Sequence, residues 1–457
     1  MRNAQLLIDI MRGIDMNTPI YDFLEQYKNS GAVRAHMPGH KGRGISCGFE
    51  SAFPYDITEI KGADVLFEAE GIIAESEKNA AELFGTAATF YSAGGSTLCI
   101  QTMLAAACGE GRAFICARNA HRAVMNSAVL LNLEPCWFYP EYEDGSVVSG
   151  NITAKAVEDA IEKYADKNPA CVYITSPDYL GRLAPVKEIA AVCHRHGLPL
   201  VVDNAHGAYL AFLEENLHPI ALGADMCCDS AHKTLPVLTG GAYLHVANEI
   251  YAPEIKRYMS LFGSTSPSYL IMASLDLCNR YLAEHFRNDL AETVARIDRF
   301  KEKFVHLCAE NIEPMKITFY PILSGLTGYQ LAEQLRAGGI EPEYADETHV
   351  VLMFSASSTE DDFARLDEVC ERLMCPRILI RPPHFEITEP KRAMLPREAF
   401  FAEKERVDTE NSCGRIAAEG ITVCPPCVPV VAAGEIIDEN VMKILKMYSI
   451  SEVNVVK

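Results

Sequence analysis

The sequence has no apolar run near the ~18 residues that a membrane-spanning helix needs, so it predicts no membrane span. Positive charge is scarce: 41 Lys and Arg against 62 Asp and Glu give a net charge of −21. That balance argues against nucleic acid and anionic membrane surfaces as partners. The start, MRNAQLLIDIMRG, lacks a small-residue cleavage site, so we expect no signal peptide. Internal repeats, coiled-coil heptads and low-complexity tracts are lacking too, which leaves a globular protein.

Cysteine is abundant, with 16 residues, but it is scattered, and most of it lies in apolar runs such as STLCIQTML and AAVCHRHG. Buried thiols in a reducing compartment explain this pattern better than a disulfide framework does. The sequence therefore predicts a cytoplasmic protein. At 457 residues it also predicts more than one domain.

Between residues 87 and 246, β-rich runs such as TFYS, RAFICA, ACVYITS and LPLVVDNA alternate with amphipathic helical stretches. Near-continuous apolar strands separated by helices indicate parallel strands covered on both faces. We predict an N-terminal arm over residues 1–70 and a large α/β domain with a mostly parallel sheet over 71–304. A smaller C-terminal α/β domain is predicted over 305–457, with its last part beginning near residue 380.

Polar or glycine-rich segments follow five of these strands: SAGGST, RNAH, TSPDY, DNAH and DSAHK. Because ligands of parallel α/β sheets bind outside the carboxyl ends of the strands, these loops predict one site. Asp203 ends the strand LPLVVD, His206 follows three residues later, and Lys233 comes one strand further along the chain. An acid and a lysine so placed suit pyridoxal 5′-phosphate (PLP): the carboxylate keeps the pyridine nitrogen protonated, and the lysine amine forms an imine with the aldehyde.

The phosphate of such a cofactor needs donors. Gly95, Ser96 and Thr97 open a helix after a strand and offer backbone N–H groups, although a Gly-Gly-Ser-Thr turn is equally compatible with a purely structural role. Ser230 and His232 flank the lysine and are further candidates. His121, in RNAHR, could lie against the cofactor ring or be an ordinary loop histidine.

Taken together, these segments resemble the ornithine/lysine/arginine decarboxylases of bacteria, which are fold-type-I PLP enzymes. The resemblance spans nearly the whole chain and rests on HMPGHKG, DITEIKGADVLF, RNAH, TSPDYLG, VDNAHGAYLAF, DSAHKTLPVLTGG, STSPSY and LPREAFFA. The combination of PGHKG and HKTLP is the most specific part, since few other PLP families carry both.

The resemblance implies decarboxylation of arginine, lysine or ornithine to an amine for polyamine biosynthesis. It makes Lys233 the lysine that carries PLP, Asp203 the partner of the pyridine nitrogen and His121 the residue stacked on the ring. Phosphate ligands would be Gly95, Ser96, Ser230 and His232, and Thr265 would reach the phosphate of a neighbouring subunit, so a homodimer with shared active sites is expected. Lys233 and His232 both remain candidates for the proton donor to Cα.

The match departs from the family in CPPCVPVVAAGE, where Cys424 replaces an aromatic residue, Cys427 a glycine and Ala433 a proline. Because of this departure, the resemblance does not determine which substrate side chain the protein accepts. Cys424 and Cys427 form a C-x-x-C pair, but no second pair or histidine cluster at ligand spacing accompanies it, so the sequence predicts no metal. The family's longer members have an amino-terminal receiver-like domain, which we expect to be absent here.

A cationic substrate requires an acidic pocket lining, and the candidates are Asp178, Glu59, Asp64 and Glu435, each of which could equally be structural. Two alternatives to decarboxylation remain. The first is another fold-type-I reaction, such as transamination or carbon–carbon or carbon–sulfur lysis, with Arg377 and Arg381 as nominal carboxylate-binding residues. The second is a non-catalytic relative, against which the presence of both Asp203 and Lys233 argues.

Overall fold

The computed structural model describes residues 16–44, 48–142, 146–373, 380–381, 387–423 and 428–457. Its α-helices are α1 (Pro19–Asn29), α2 (Ile72–Phe84), α3 (Gly95–Cys108), α4 (Arg122–Leu130), α5 (Ala154–Lys163), α6 (Val186–Arg195), α7 (Ala231–Thr234), α8 (Ala252–Phe262), α9 (Tyr269–Glu284), α10 (Phe286–Lys303), α11 (Gly328–Ala337), α12 (Glu360–Glu371), α13 (Pro396–Phe401) and α14 (Glu439–Met447).

The strands are β1 (Ala88–Ser92), β2 (Ala113–Ala117), β3 (Glu134–Phe138), β4 (Glu141–Tyr142), β5 (Gly150–Asn151), β6 (Val172–Thr175), β7 (Leu200–Asp203), β8 (Met226–Asp229), β9 (Ala242–Val246), β10 (Lys316–Phe319), β11 (Tyr344–Ala345), β12 (Val350–Met353), β13 (Lys404–Asp408), β14 (Ile421–Val423), β15 (Val428–Val431) and β16 (Glu452–Val456).

The chain divides into two compact units, one formed by Met1–Ala106 and Gly207–Ala291 and the other by Ala107–His206 and Glu292–Lys457. The division into residues 1–70, 71–304 and 305–457 stays a prediction.

In the first unit, β9 runs antiparallel to both β1 and β8. The connection from β8 to β9 contains only the one-turn helix α7, whereas parallel strands need a longer crossover. Helices α1, α2 and α9 pack together, and α2 and α9 also contact β1. The Asp276 carboxylate of α9 accepts hydrogen bonds from the backbone N–H groups of Ile20 and Tyr21 at 2.9 Å each. This carboxylate therefore binds the N-terminus of α1.

In the second unit, the strands β7, β6, β2 and β3 lie side by side in this order and are all parallel. All five residues of β2 are buried, which is what strands covered on both faces require. Helix α6 turns Val186, Ile189 and Cys193 inward in the amphipathic pattern expected from the sequence. The predicted fold class, a mostly parallel α/β sheet with helices, is confirmed.

Smaller antiparallel sheets complete the second unit: β10, β12 and β11 in one, β13 with β16, and β14 with β15. The sequence SPSYLIMASLDLCNRYLAEHFRNDLAETVARIDRFKEKF predicts a helical stretch that runs through about residue 304. In the structure this stretch is two helices, since α9 ends at Glu284 and α10 begins at Phe286. His285, between them, has φ −132° and ψ −32°, outside the helical region.

Within the described ranges, every helix is too short or too polar to cross a lipid bilayer. Ten of the twelve cysteines in those ranges are buried, and none of the twelve is in a disulfide.

Candidate active site

The predicted site residues fall in two sets, one in each unit. In the first unit, the turn between β1 and α3 is shaped by Gly95, whose φ of +68° favours glycine. The Gly95 N–H donates to the carbonyl of Gly240 at 2.8 Å, and the Ser92 hydroxyl donates to the Gly95 carbonyl at 2.9 Å. The Gly95 amide is therefore engaged within the protein, whereas Ser96 and Thr97 occupy the first turn of α3, where backbone N–H groups lack intrahelical partners.

The serine before the lysine meets this helix terminus. Ser230 is buried, and its hydroxyl donates to the Ser96 hydroxyl at 2.8 Å. Two hydroxyl groups that are 134 residues apart in the sequence thus lie together at the start of α3. Hydroxyls beside a helix N-terminus form a suitable anion site.

Lys233 lies on α7, half-buried, and its backbone N–H bonds the carbonyl of Ser230 at 3.0 Å. Just before β9 the Val237 side chain packs closely on the backbone of Gly241, since a Cβ on Gly241 would collide with it. The glycine pair after the lysine therefore serves packing and a tight turn: Gly240 has φ +97°.

His232 points one ring nitrogen at the backbone: Nδ1 lies 3.0 Å from the Gly241 carbonyl oxygen. Because a carbonyl only accepts, Nδ1 carries a proton and donates it. Burial lowers the pKa of His232, and the charge of Lys233 lowers it further. The neutral imidazole that results has a bare Nε2, which can accept a hydrogen bond but not donate one.

Thr265 is exposed in the loop between α8 and α9. The same loop is shaped by a bond from the Ser266 N–H to the Ser264 hydroxyl at 3.1 Å. The predicted role of Thr265 towards a neighbouring subunit stays a prediction.

In the second unit, Asp203 ends β7 and is 2% exposed. Its Oδ2 accepts from the Tyr173 hydroxyl at 3.3 Å and its Oδ1 from the Ala205 N–H at 3.1 Å. Tyr173 lies on the neighbouring strand β6, so the sheet itself orients this carboxylate.

The two other predicted residues of this unit are histidines. His121 is the N-cap of α4, and its Nδ1 accepts from the Ala123 N–H at 3.1 Å, which fixes the ring and leaves the proton on Nε2 in the neutral form. His206 is buried and packs edge-on against Tyr179, with ring centroids 5.5 Å apart.

The four acidic candidates for a substrate cation have very different surroundings. Asp64 accepts from five backbone N–H groups, one from the next residue and four around the start of α2, and these bonds lower its pKa against the effect of burial. Burial raises the pKa of Asp178, although Ser149 and three backbone N–H groups bond its carboxylate. Glu59 is half-exposed and accepts from Thr58 at 2.9 Å. Glu59 is thus the candidate with the fewest hydrogen bonds in the described structure.

Glu435 forms a buried bidentate ion pair with Arg118, at 2.8 and 2.7 Å, and both side chains are 2% exposed. The Arg118 guanidinium also stacks on Trp137 at 4.8 Å and donates to the Val430 carbonyl at 3.1 Å. Burial alone would lower the pKa of Arg118, but the Glu435 charge outweighs it and the pKa rises. The sequence contained a hint in the arginine of RNAH, which precedes His121, but no spacing connects it with residue 435.

Cys424 and Cys427 lie outside the described residues, as does Arg377. Arg381 is described and is exposed.

Comparison with known proteins connects these features with a family. A model of the Orn/Lys/Arg decarboxylase major domain matches residues 18–323, and a model of the C-terminal domain of the same family matches residues 382–453. Among relatives, an arginine decarboxylase of Halalkalibacterium halodurans is 32% identical over 93% of this chain and 91% of its own. An arginine decarboxylase of Bacillus subtilis is 30% identical over 94% and 93%, respectively.

Solved structures show the same fold. A lysine decarboxylase of Francisella novicida superposes with a TM-score of 0.81 at 17% identity, covering 97% of this chain and 82% of its own. A structure of SPT with PLP superposes with a TM-score of 0.51 at 15% identity, over 64% of this chain and 74% of its own. The chain belongs to the ornithine/lysine/arginine decarboxylase family and is a decarboxylase with the fold of the fold-type-I PLP enzymes.

Proposed function

We propose that this protein is a PLP-dependent decarboxylase of a basic amino acid, with arginine as the first substrate to test. The observation that carries the proposal is that a chain matched over most of its length by arginine decarboxylases retains both a lysine after β8 and a buried carboxylate at the end of β7. Lysine and ornithine remain alternatives, since the late segment around residues 424–433 departs from the family.

The residues that we assign to the cofactor phosphate lie in the first unit. The Ser96 and Ser230 hydroxyls meet at the N-terminus of α3, and the left-handed Gly95 allows the turn that precedes it. A dianionic phosphate is stabilised there by the helix dipole and by N–H donors of the first turn. Ser96, Thr97 and Ser230 are the residues that we assign to the phosphate.

The ring end depends on Asp203 and His121. When bound, PLP supplies an aldehyde for amines and a protonated pyridine ring that accepts the electron pair left at Cα when CO2 departs. Asp203 would keep the ring nitrogen protonated, and the Tyr173 hydroxyl orients Oδ2 of its carboxylate. His121 would contact the ring in the orientation set by its capping bond to Ala123.

Lys233 would hold the cofactor through its side-chain amine, and of the two candidates it is the one that we favour as the proton donor to Cα. His232 is the weaker candidate for that donor, because its Nδ1 proton is committed to the Gly241 carbonyl and its lowered pKa leaves Nε2 bare. Because Nε2 of the neutral imidazole carries no proton, it can donate a hydrogen bond to the phosphate only when His232 is protonated. Lys233, the other candidate, lies half-buried on the same helix.

The test is to incubate the PLP-loaded protein separately with arginine, lysine and ornithine, and to identify the amine and the CO2 formed by mass spectrometry. Lys233→Ala should abolish both the visible absorbance of lysine-bound cofactor and the amine product. Lys187→Ala, at an exposed position on α6, is the matched control and should change neither. A keto acid as the product would contradict decarboxylation, and unchanged absorbance in Lys233→Ala would contradict the assignment of the lysine.

A further inference from the structure

Three buried side chains that the proposed reaction does not use converge in the first unit. His218 Nε2 lies 3.1 Å from Asp229 Oδ2, and His245 Nε2 lies 3.2 Å from the same oxygen. All three side chains have zero solvent exposure. The candidate ligand atoms of this His–Asp–His cluster lie within 4.8 Å of one another.

The strand register places a fourth group beside them. Cys227 pairs with His245 across β8 and β9, and Cys227 and Asp229, two residues apart on a strand, point to the same face. The Cys227 sulfur lies 3.8 Å from His218 Nε2 and is fully buried. The thiol therefore lies beside His218 at the edge of the cluster, while the two imidazoles and the carboxylate form its centre.

The spacing fits a tetrahedral metal centre. With zinc–nitrogen and zinc–oxygen bonds of about 2.0–2.2 Å and zinc–sulfur bonds of about 2.3 Å, adjacent ligand atoms lie about 3.3 Å apart for nitrogen–oxygen and about 3.6 Å for nitrogen–sulfur. The corresponding distances here are 3.1, 3.2 and 3.8 Å. The two histidines and Asp229 are thus spaced to share a divalent ion, and the Cys227 side chain would turn towards that ion to complete the tetrahedron.

The second ring nitrogen of His245 has the partner that metal-binding histidines usually have. Its Nδ1 lies 2.8 Å from the Thr89 hydroxyl, and that hydroxyl lies 2.8 Å from the Thr86 hydroxyl. If Nδ1 donates to Thr89, Thr89 donates onward to Thr86 and the Nε2 lone pair of His245 faces the cluster. Such an outer hydrogen bond fixes the tautomer and orients the ring of a ligand.

We propose that His218, Asp229, His245 and Cys227 form a structural site for a divalent cation, with zinc as the best fit for a tetrahedral set of nitrogen, oxygen and sulfur ligands. The site would join β8, β9 and the loop that precedes β8. Asp229 is the last residue of β8 and lies four positions before Lys233, so the metal would stabilise the strand end from which the lysine-bearing helix begins.

The first measurement is made on the wild-type holoenzyme, produced without a histidine tag and dialysed against a chelator. Elemental analysis should give about one equivalent of zinc per chain, because a closed, buried structural site releases its metal only on unfolding. Zinc-edge X-ray absorption should show two imidazoles, one oxygen and one sulfur in the first shell. Neither measurement depends on catalytic activity or on the substrate.

Variants then localise the metal. His218→Gln and His245→Gln should each lower zinc affinity by at least roughly tenfold, as loss of a ligand does. His349→Gln is the matched control, because His349 is also a buried histidine beside an aspartate, Asp346, but is remote from the cluster in sequence. Replacing both Cys424 and Cys427 by Ser should leave the zinc content unchanged, which separates this site from the C-x-x-C pair.

The proposal is overturned if wild-type protein, refolded with zinc chloride, binds less than about half an equivalent. It is also overturned if the absorption spectrum shows a different ligand shell, or if both cluster variants retain the wild-type zinc content. Should the variants fail to fold, the wild-type stoichiometry and spectrum decide alone. If the protein forms the amine but binds no zinc, the proposed metal site is wrong and the proposed decarboxylase function stands.

Discussion

At the scale of single residues, the buried ion pair of Arg118 and Glu435 shows how a motif residue can be structural. Arg118 precedes His121 in RNAH, and its guanidinium joins β2 to the segment after β15. Glu435 was one of four acidic candidates for the substrate cation, but its two oxygens bond Arg118 and one of them also accepts from the Ala432 N–H. Its position therefore supports a structural role.

We expect Glu435→Gln to destabilise the protein by about 3–5 kcal/mol, because Arg118 would remain buried without its countercharge. The control is Glu389→Gln, which breaks the pair with Lys163, where both side chains are about half exposed. An exposed pair of this kind contributes about 0–1 kcal/mol. Apparent melting temperatures at equal protein concentration measure both, and equal changes in the two variants would contradict the expectation.

At the scale of elements, the alternation of strands and helices followed from the sequence, whereas strand direction and helix breaks did not. Hydrophobic periodicity identified β1, β2, β6 and β7, since it reports which side chains are buried. The periodicity could not show that β9 runs antiparallel to its neighbours, because strand direction depends on the path of the connecting segment between two strands. It also missed the break at His285, since both α9 and α10 continue the same apolar pattern.

The junction of α1 and α9 gives a pH prediction. Burial raises the pKa of Asp276 to about 6, from a usual value of 3.8, even though Ser76, Tyr21 and Ile20 donate to its carboxylate. Because the folded pKa is the higher one, this group contributes most to stability below about pH 4, and its contribution is lost as the pH rises through 6. The change is at most ~3 kcal/mol.

We therefore expect Asp276→Asn, which does not titrate, to gain stability relative to wild type as the pH rises from 5 to 7. Melting curves over that range measure the difference. Asp298→Asn, at an exposed position of α10, serves as the control and should show no such trend near pH 6. A difference between Asp276→Asn and wild type that does not vary with pH would contradict the raised pKa.

At the scale of the whole molecule, the expectation drawn from the sequence resemblance is an active site completed by a second chain, with Thr265 as the contributing residue. Its exposure in the loop before α9 is compatible with that role. The charge of −21 suits a cationic substrate through long-range attraction, an effect that salt weakens.

We expect Thr265→Ala to weaken PLP binding by about 10–100-fold, the loss of one hydrogen bond to a charged phosphate. Ser266→Ala, in the same loop, is the control and should bind PLP as wild type does. Fluorescence titration of the cofactor-free protein with PLP measures both affinities. Equal PLP affinity in Thr265→Ala and wild type would remove Thr265 from the site.

The sequence by itself determined the fold class, the family and the lysine and aspartate on which the proposed chemistry depends. These features are local: periodic burial, glycines at tight turns and short motifs lie within a few residues of one another. Only the tertiary structure decided that Arg118 meets Glu435, 317 residues away, and that His218, Asp229 and His245 meet at one carboxylate oxygen. Such contacts depend on strand register and on the path of the chain, which no spacing in the sequence encodes.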